Sequence, residues 1–99
     1  MIAQSTIDRI NELSAFEVIS HYVSGLKPNG STGWKAKSPF TDEKTASFYV
    51  VKSKNIFKDF SSGKGGSAIR FVMEHTGKNF PEAIHEIAEK CNVRVEYDE

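Results

Sequence analysis

Hydrophobic residues follow two rhythms along this chain, and the change of rhythm divides it. Over the first 23 residues they recur at helical spacing: Ile7, Ile10 and Leu13, then Phe16, Ile19 and Val23. Ser5 with Asp8 and Ser14 with Glu17 each place a hydroxyl three residues before an acid. This capping-box pattern predicts helices over about 6–13 and 15–23. Pro28-Asn29-Gly30 reads as the turn that closes this part.

From Gly33 the period becomes two. Trp34 and Ala36 alternate with Lys35 and Lys37, Phe48 and Val50 with Tyr49 and Val51, and Ile56, Lys58 and Phe60 with Phe57 and Asp59. β-branched and aromatic residues between turn residues predict three strands, with Lys52-Ser53-Lys54-Asn55 closing a hairpin between the last two. Helical spacing then returns. Ser67 caps a predicted helix over about 68–76, with Ile69, Val72 and Met73 inward and Gly77 as its stop. Asn79 and Glu82 form a third capping box around Pro81, ahead of a stripe of Ile84, Ile87, Ala88 and Cys91. Val93, Val95 and Tyr97 alternate as a further short strand. The expected class is α+β: a small antiparallel sheet, one face on flanking helices and one face wet.

Ninety-nine residues suit one domain, expected to span 1–99. The chain has 13 basic and 13 acidic residues, so net charge by itself predicts no polyanion partner. Their distribution changes that picture. Residues 26–70 hold nine Lys or Arg against three acids, a surplus of six, and the two flanks carry the compensating deficit. A basic middle between acidic helices is an electrostatic footprint for nucleic acid, although lysines also solvate any exposed sheet.

Candidate chemistry is sparse. The single cysteine, Cys91, excludes an intrachain disulfide and a thiolate cluster, and its place in a core stripe makes it a small buried hydrophobe. His21, His75 and His85 all fall on predicted helices. The N-terminal residues include Asp8, Arg9 and Glu12 and contain no long apolar run, so they are neither a signal peptide nor a membrane span; a cytoplasmic location is expected. Asp42, Glu43 and Asp59 are better read as solvated loop acids than as a magnesium site. Gly63-Lys64-Gly65-Gly66-Ser67 before a helix offers backbone N–H groups to an anion, but it lacks the P-loop spacing and serves equally well as a tight loop.

Two loops carry a family resemblance. One reads Ser38-Pro39-Phe40-Thr41-Asp42-Glu43-Lys44-Thr45-Ala46-Ser47-Phe48, and the other Phe57-Lys58-Asp59-Phe60-Ser61-Ser62-Gly63-Lys64-Gly65-Gly66. They resemble the loops of the zinc-ribbon domain at the N-terminus of bacterial DnaG-type DNA primases, which read Cys-Pro-Phe-His-Asp-Glu-Lys-Thr-Pro-Ser-Phe and Phe-x-Cys-Phe-Gly-Cys-Gly-x-Gly-Gly. Ile7-Asp8-Arg9-Ile10, Glu17-Val18-Ile19-Ser20, Phe71-Val72-Met73-Glu74 and Phe80-Pro81-Glu82-Ala83 extend the likeness over nearly the whole chain. The four ligand positions of that family, Cys, His, Cys and Cys, stand here as Ser38, Thr41, Asp59 and Ser62. Hydroxyls are poor zinc ligands. The expectation is therefore a degenerate, zinc-ribbon-like fold without zinc or other cofactor, its vacated site held by hydroxyl groups donating to Asp59.

The resemblance implies a non-catalytic, template-recognition domain of a DNA-replication protein. The parent would be a DNA primase (a DNA-directed RNA polymerase) of which these residues form the N-terminal part. Lysines among aromatics on a sheet suit single-stranded DNA, through phosphate pairing and base stacking. The candidate contact residues are Trp34, Lys35, Lys37, Tyr49, Lys52, Lys58 and Lys64. The alternative is a protein-interaction module docking onto a primase polymerising domain or a replicative helicase, with no membrane partner in either case.

Overall fold

The computed structural model describes residues 1–42 and 44–98. Among these residues four helices, α1 (Gln4–Glu12), α2 (Ala15–Ile19), α3 (Ala68–Thr76) and α4 (Phe80–Lys90), accompany five strands, β1 (Lys27–Asn29), β2 (Gly33–Lys37), β3 (Ala46–Val51), β4 (Ile56–Asp59) and β5 (Gly65–Gly66). The strands form one antiparallel meander in sequence order, and the α+β class expected from the pattern is the one observed.

Where local signals were strong, the elements follow them. Ser67 accepts from the Arg70 N–H and Gly77 ends α3 in the left-handed conformation at φ 76°. Asn79 and Glu82 form a reciprocal capping box on α4. At α1 the expected box fails. The helix begins at Gln4 with Ala3 as its cap residue. Ala3 and the buried Thr6 instead bond to the backbone of Glu96, at 2.9 Å each, which ties the two ends of the chain together. Residues 93–97 form no strand; their only bridge is Ile2 to Tyr97. The regular part of α2 is shorter than expected, and hydrogen-bonded turns carry the chain on to the buried Val23.

Two strands lie where turns or loops were read. Pro28 and Asn29 belong to β1, and the turn falls at Gly30–Thr32 instead. Proline is tolerated there because β1 is an edge strand. Gly65 and Gly66 pair with Lys58 and Phe57 as β5, so the expected anion cradle is taken up into the sheet.

The core lies between the inner sheet face and the helices. Phe48, Phe57 and Phe71 are fully buried, with ring centroids 5.3–5.7 Å apart, and Phe40 from the first loop packs on all three. Phe16 of α2 stacks on Trp34 of β2 at 4.1 Å. Cys91 is half-buried against this core; burial, and then Glu17 nearby, pushes its thiol up, so it stays protonated.

Asn55, at φ 56° in the β3–β4 turn, accepts from the Ala15 N–H at 2.7 Å and donates to the Leu13 carbonyl at 2.9 Å. It thereby pins the hairpin to the α1–α2 corner. Asn55→Ala loses both bonds and places alanine in a left-handed conformation. The expected cost is about 2 kcal/mol, a fall in melting temperature of roughly 8–16 °C.

Candidate functional site

Register determines what each sheet face presents. Directly paired residues share a face, so Lys27, Lys35, Tyr49, Lys58 and Gly65 form one row across all five strands on the outer side. At strand spacings of about 4.8 Å, the row from Lys27 to Lys58 spans roughly 14 Å. Lys37 is exposed beside Lys35 on β2, and a shallow groove of about 440 Å³ runs past Lys27, Lys35 and Lys37. Phe60, just beyond β4, is 70% exposed and meets Tyr49 edge to face at 5.6 Å. Among the described strand residues the only acid is Asp59, which is buried. Among the described strand residues, the charged side chains of the outer face are therefore all basic, and the face also carries Tyr49, Val51 and Ile56, with Phe60 just beyond it.

Three of the seven candidate contact residues lie apart from this row. Trp34 pairs with buried Val50 and stacks on Phe16, so it faces the helices; the period-two pattern left its face undecided. Lys64 bonds Glu74 of α3 at 2.7 Å with its ammonium 5.7 Å from the Phe40 ring centroid. Hydrogen bonds from Lys64 and then Arg70 hold the Glu74 carboxyl below its usual range, so this lysine is engaged on α3 and shares one carboxylate with Arg70. Lys52 is exposed, at the sheet end beside the Gly30–Thr32 turn. Lys35, Lys37, Tyr49 and Lys58 are together. Lys27 and Phe60 were missed, because their positions matter only once β1 is paired and the turn after β4 is formed.

The two resemblance-bearing loops meet at Asp59. Its side chain is 2% exposed and lies on the core face opposite Phe48. Ser38 donates to Oδ2 at 2.7 Å, Ser62 donates to the same oxygen at 2.6 Å, and Ser61 donates to Oδ1 at 3.0 Å. Thr41 and Ser61 are 2.7 Å apart. Since the single Ser61 proton goes to Asp59, Thr41 is the donor there and reaches the carboxylate only through Ser61. The register slips at Ser47, between Ala36↔Phe48 and Lys37↔Ala46, and this brings the Ser47 hydroxyl to 3.5 Å from Oδ1. Burial pushes the Asp59 carboxyl up, but hydrogen bonds from Ser62, Ser38 and Ser61 outweigh it and hold the group below the usual carboxylate range. Asp59 is thus an ionised hub with a full set of donors. Ser61 and Ser47 were not singled out in the sequence, since neither stands at a ligand position of the resembled family. Of the three loop acids, Asp42 is exposed, Asp59 is buried, and Glu43 lies outside the described residues.

The comparisons agree with this architecture. The family profile described as CHC2 zinc finger, the zinc ribbon of DnaG-type primases, matches residues 2–99. The chain belongs to that family. Among its relatives, the DNA primase of Helicobacter pylori (strain ATCC 700392 / 26695) is 39% identical over 99% of this chain, and that of Pseudomonas putida (strain KT2440) 41% identical over 96%. The chain spans only 17% and 14% of those two proteins. A crystal structure of the Aquifex aeolicus primase, comprising zinc-binding and RNA polymerase domains, superposes with a TM-score of 0.80 at 36% identity. That superposition covers 94% of this chain and 22% of the other. The correspondence is thus to one small part of a DNA primase.

Proposed function

We propose that these 99 residues act as one template-binding unit of a primase-like replication protein, holding single-stranded DNA on the outer sheet face. The observation that carries this reading is the row of Lys27, Lys35, Tyr49 and Lys58, with Lys37 and Phe60 beside it and no acid on that face among the described strand residues. Four lysines can neutralise successive phosphates while the rings stack on bases. Fluorescence anisotropy with short labelled oligonucleotides tests it. If three or four lysines make contacts, log affinity should fall with log salt at a slope of about −2 to −3. Absent or salt-independent binding would overturn a phosphate-led mode.

A metal-independent fold is part of the same proposal. A structural zinc needs thiolate or imidazole ligands in tetrahedral array. Here the corresponding loops supply Ser38, Thr41, Asp59 and Ser62, whose hydroxyl protons are committed to Asp59 or Ser61. This donor set does not fit zinc, and the ionised carboxylate takes the joining role between the loops. Purified protein is expected to contain well under one zinc per chain, and a chelator should leave its melting temperature unchanged. A stoichiometric zinc whose removal unfolds the protein would overturn this.

A second reading draws on a different surface. Met1, Ile2, Ile7, Phe80, Pro81 and Tyr97 line an open hollow of about 600 Å³ in the helix layer, where Met1 is 92% and Tyr97 59% exposed. Such an apolar patch suits docking onto a polymerising domain or a helicase. The two readings are compatible, because the patch is built from α1, α4 and the chain ends rather than from the sheet.

A further inference from the structure

We propose that Phe60 is the base-stacking residue of the outer sheet face, taking one unpaired base between phosphates held by Lys35 and Lys58. This deepens the single-strand reading and rests on it. Phe60 is the most exposed aromatic ring among the described residues, at 70%. It opens a turn, where a small polar residue would ordinarily stand. Its exposure does not come from a loose backbone. The Phe60 N–H donates to the Ser47 carbonyl at 2.9 Å, and its neighbours Asp59 and Ser61 are both held in the carboxylate hub. The ring is thus presented to solvent from a hydrogen-bonded backbone position.

Its surroundings indicate what covers it. Tyr49 meets Phe60 at an interplanar angle of 71°, an arrangement that occupies at most one face of one ring and leaves Phe60 70% exposed. Tyr49 lies in register between Lys35 on one side and Lys58 on the other. Directly paired residues are about 5 Å apart, so Tyr49 has a cation on each side, and Phe60, two residues beyond Lys58, stands next to that row. An exposed ring beside a lysine-flanked tyrosine, with no acid on that face among the described strand residues, matches a nucleotide, with a flat base and charged phosphates, better than it matches an apolar protein surface. Because every base has a π face, the contact tolerates any sequence.

The experiment compares the full chain with Phe60→Ala, Phe60→Leu and Phe60→Trp, using a thymidine oligonucleotide that carries one 2-aminopurine. Anisotropy across several salt concentrations gives affinity and salt slope, 2-aminopurine quenching reports stacking, and melting temperature reports the fold. Phe60→Ala should weaken binding by roughly 5- to 150-fold. Quenching should be lost, with salt slope and melting temperature unchanged. Phe60→Trp should keep both binding and quenching. Leucine keeps apolar bulk without a π face, so Phe60→Leu should behave like alanine. Salt-dependent binding that Phe60→Ala leaves intact would overturn the assignment of Phe60 while sparing the single-strand reading. Leucine binding as well as phenylalanine would show an apolar contact and overturn stacking. Failure of the unsubstituted chain to bind the oligonucleotide would overturn both, and would turn the exposed ring into a protein contact.

Discussion

Asp59→Ala is expected to destabilise the protein by about 3 kcal/mol, more than any single replacement among its donors, because it strands buried Ser38 and half-buried Ser61 at once and removes the acceptor of Ser62. For a chain of this size that is a fall in melting temperature of roughly 12–24 °C. Ser38→Ala removes one donor and leaves Ser61 and Ser62 on the carboxylate, so about 1–2 kcal/mol is expected. Thermal or urea unfolding of the two variants checks the order; equal effects would mean that the hub is not shared. The same carboxylate predicts acid sensitivity. Its folded value lies below the ordinary one, so its contribution is fully present above the unfolded value and is lost as pH falls through the folded value. Stability should hold near neutrality and decline below about pH 4. Asp59→Asn should remove that share of the acid-dependent loss.

Charge reversal at Lys35, Lys37 and Lys58 together is expected to abolish single-strand binding, a loss of more than about 100-fold at moderate salt. All three side chains are exposed on the outer face, so circular dichroism and melting should stay close to those of the parent chain. The contrast that gives this test its meaning is Lys64→Glu. Lys64 is already bonded to Glu74 and lies off the row, so its reversal should change affinity far less. Equal losses from the two variants would point to diffuse electrostatics rather than an ordered row of contacts.

Several parts of this protein were legible before any tertiary contact was considered. The α3 and α4 helices follow from Ser67, Gly77, Asn79 and Glu82, because capping is a local hydrogen-bond geometry that residues three or four apart settle among themselves. The β3–β4 hairpin follows from alternation and a turn. The two loops and their shared replacement of ligand positions could be read from residue order. What the tertiary structure decided are the features that depend on a neighbour distant in sequence. Strands β1 and β5, of Lys-Pro-Asn and Gly-Gly, have no hydrophobic pattern of their own and are strands because β2 and β4 offer them open edges. Ser5 is not a cap because Ala3 and Thr6 bond to Glu96, ninety residues beyond Thr6. Trp34 and Tyr49 carry the same strand signal, and pairing register with packing from Phe16 sent one inward and left the other between lysines. Lys64 and Lys58 are equally basic in the sequence, but the turn after β4 delivers one to Glu74 and leaves the other on the outer face. A period of two separates the faces of a strand but does not say which face is wet. That choice belongs to the helices that cover one of them.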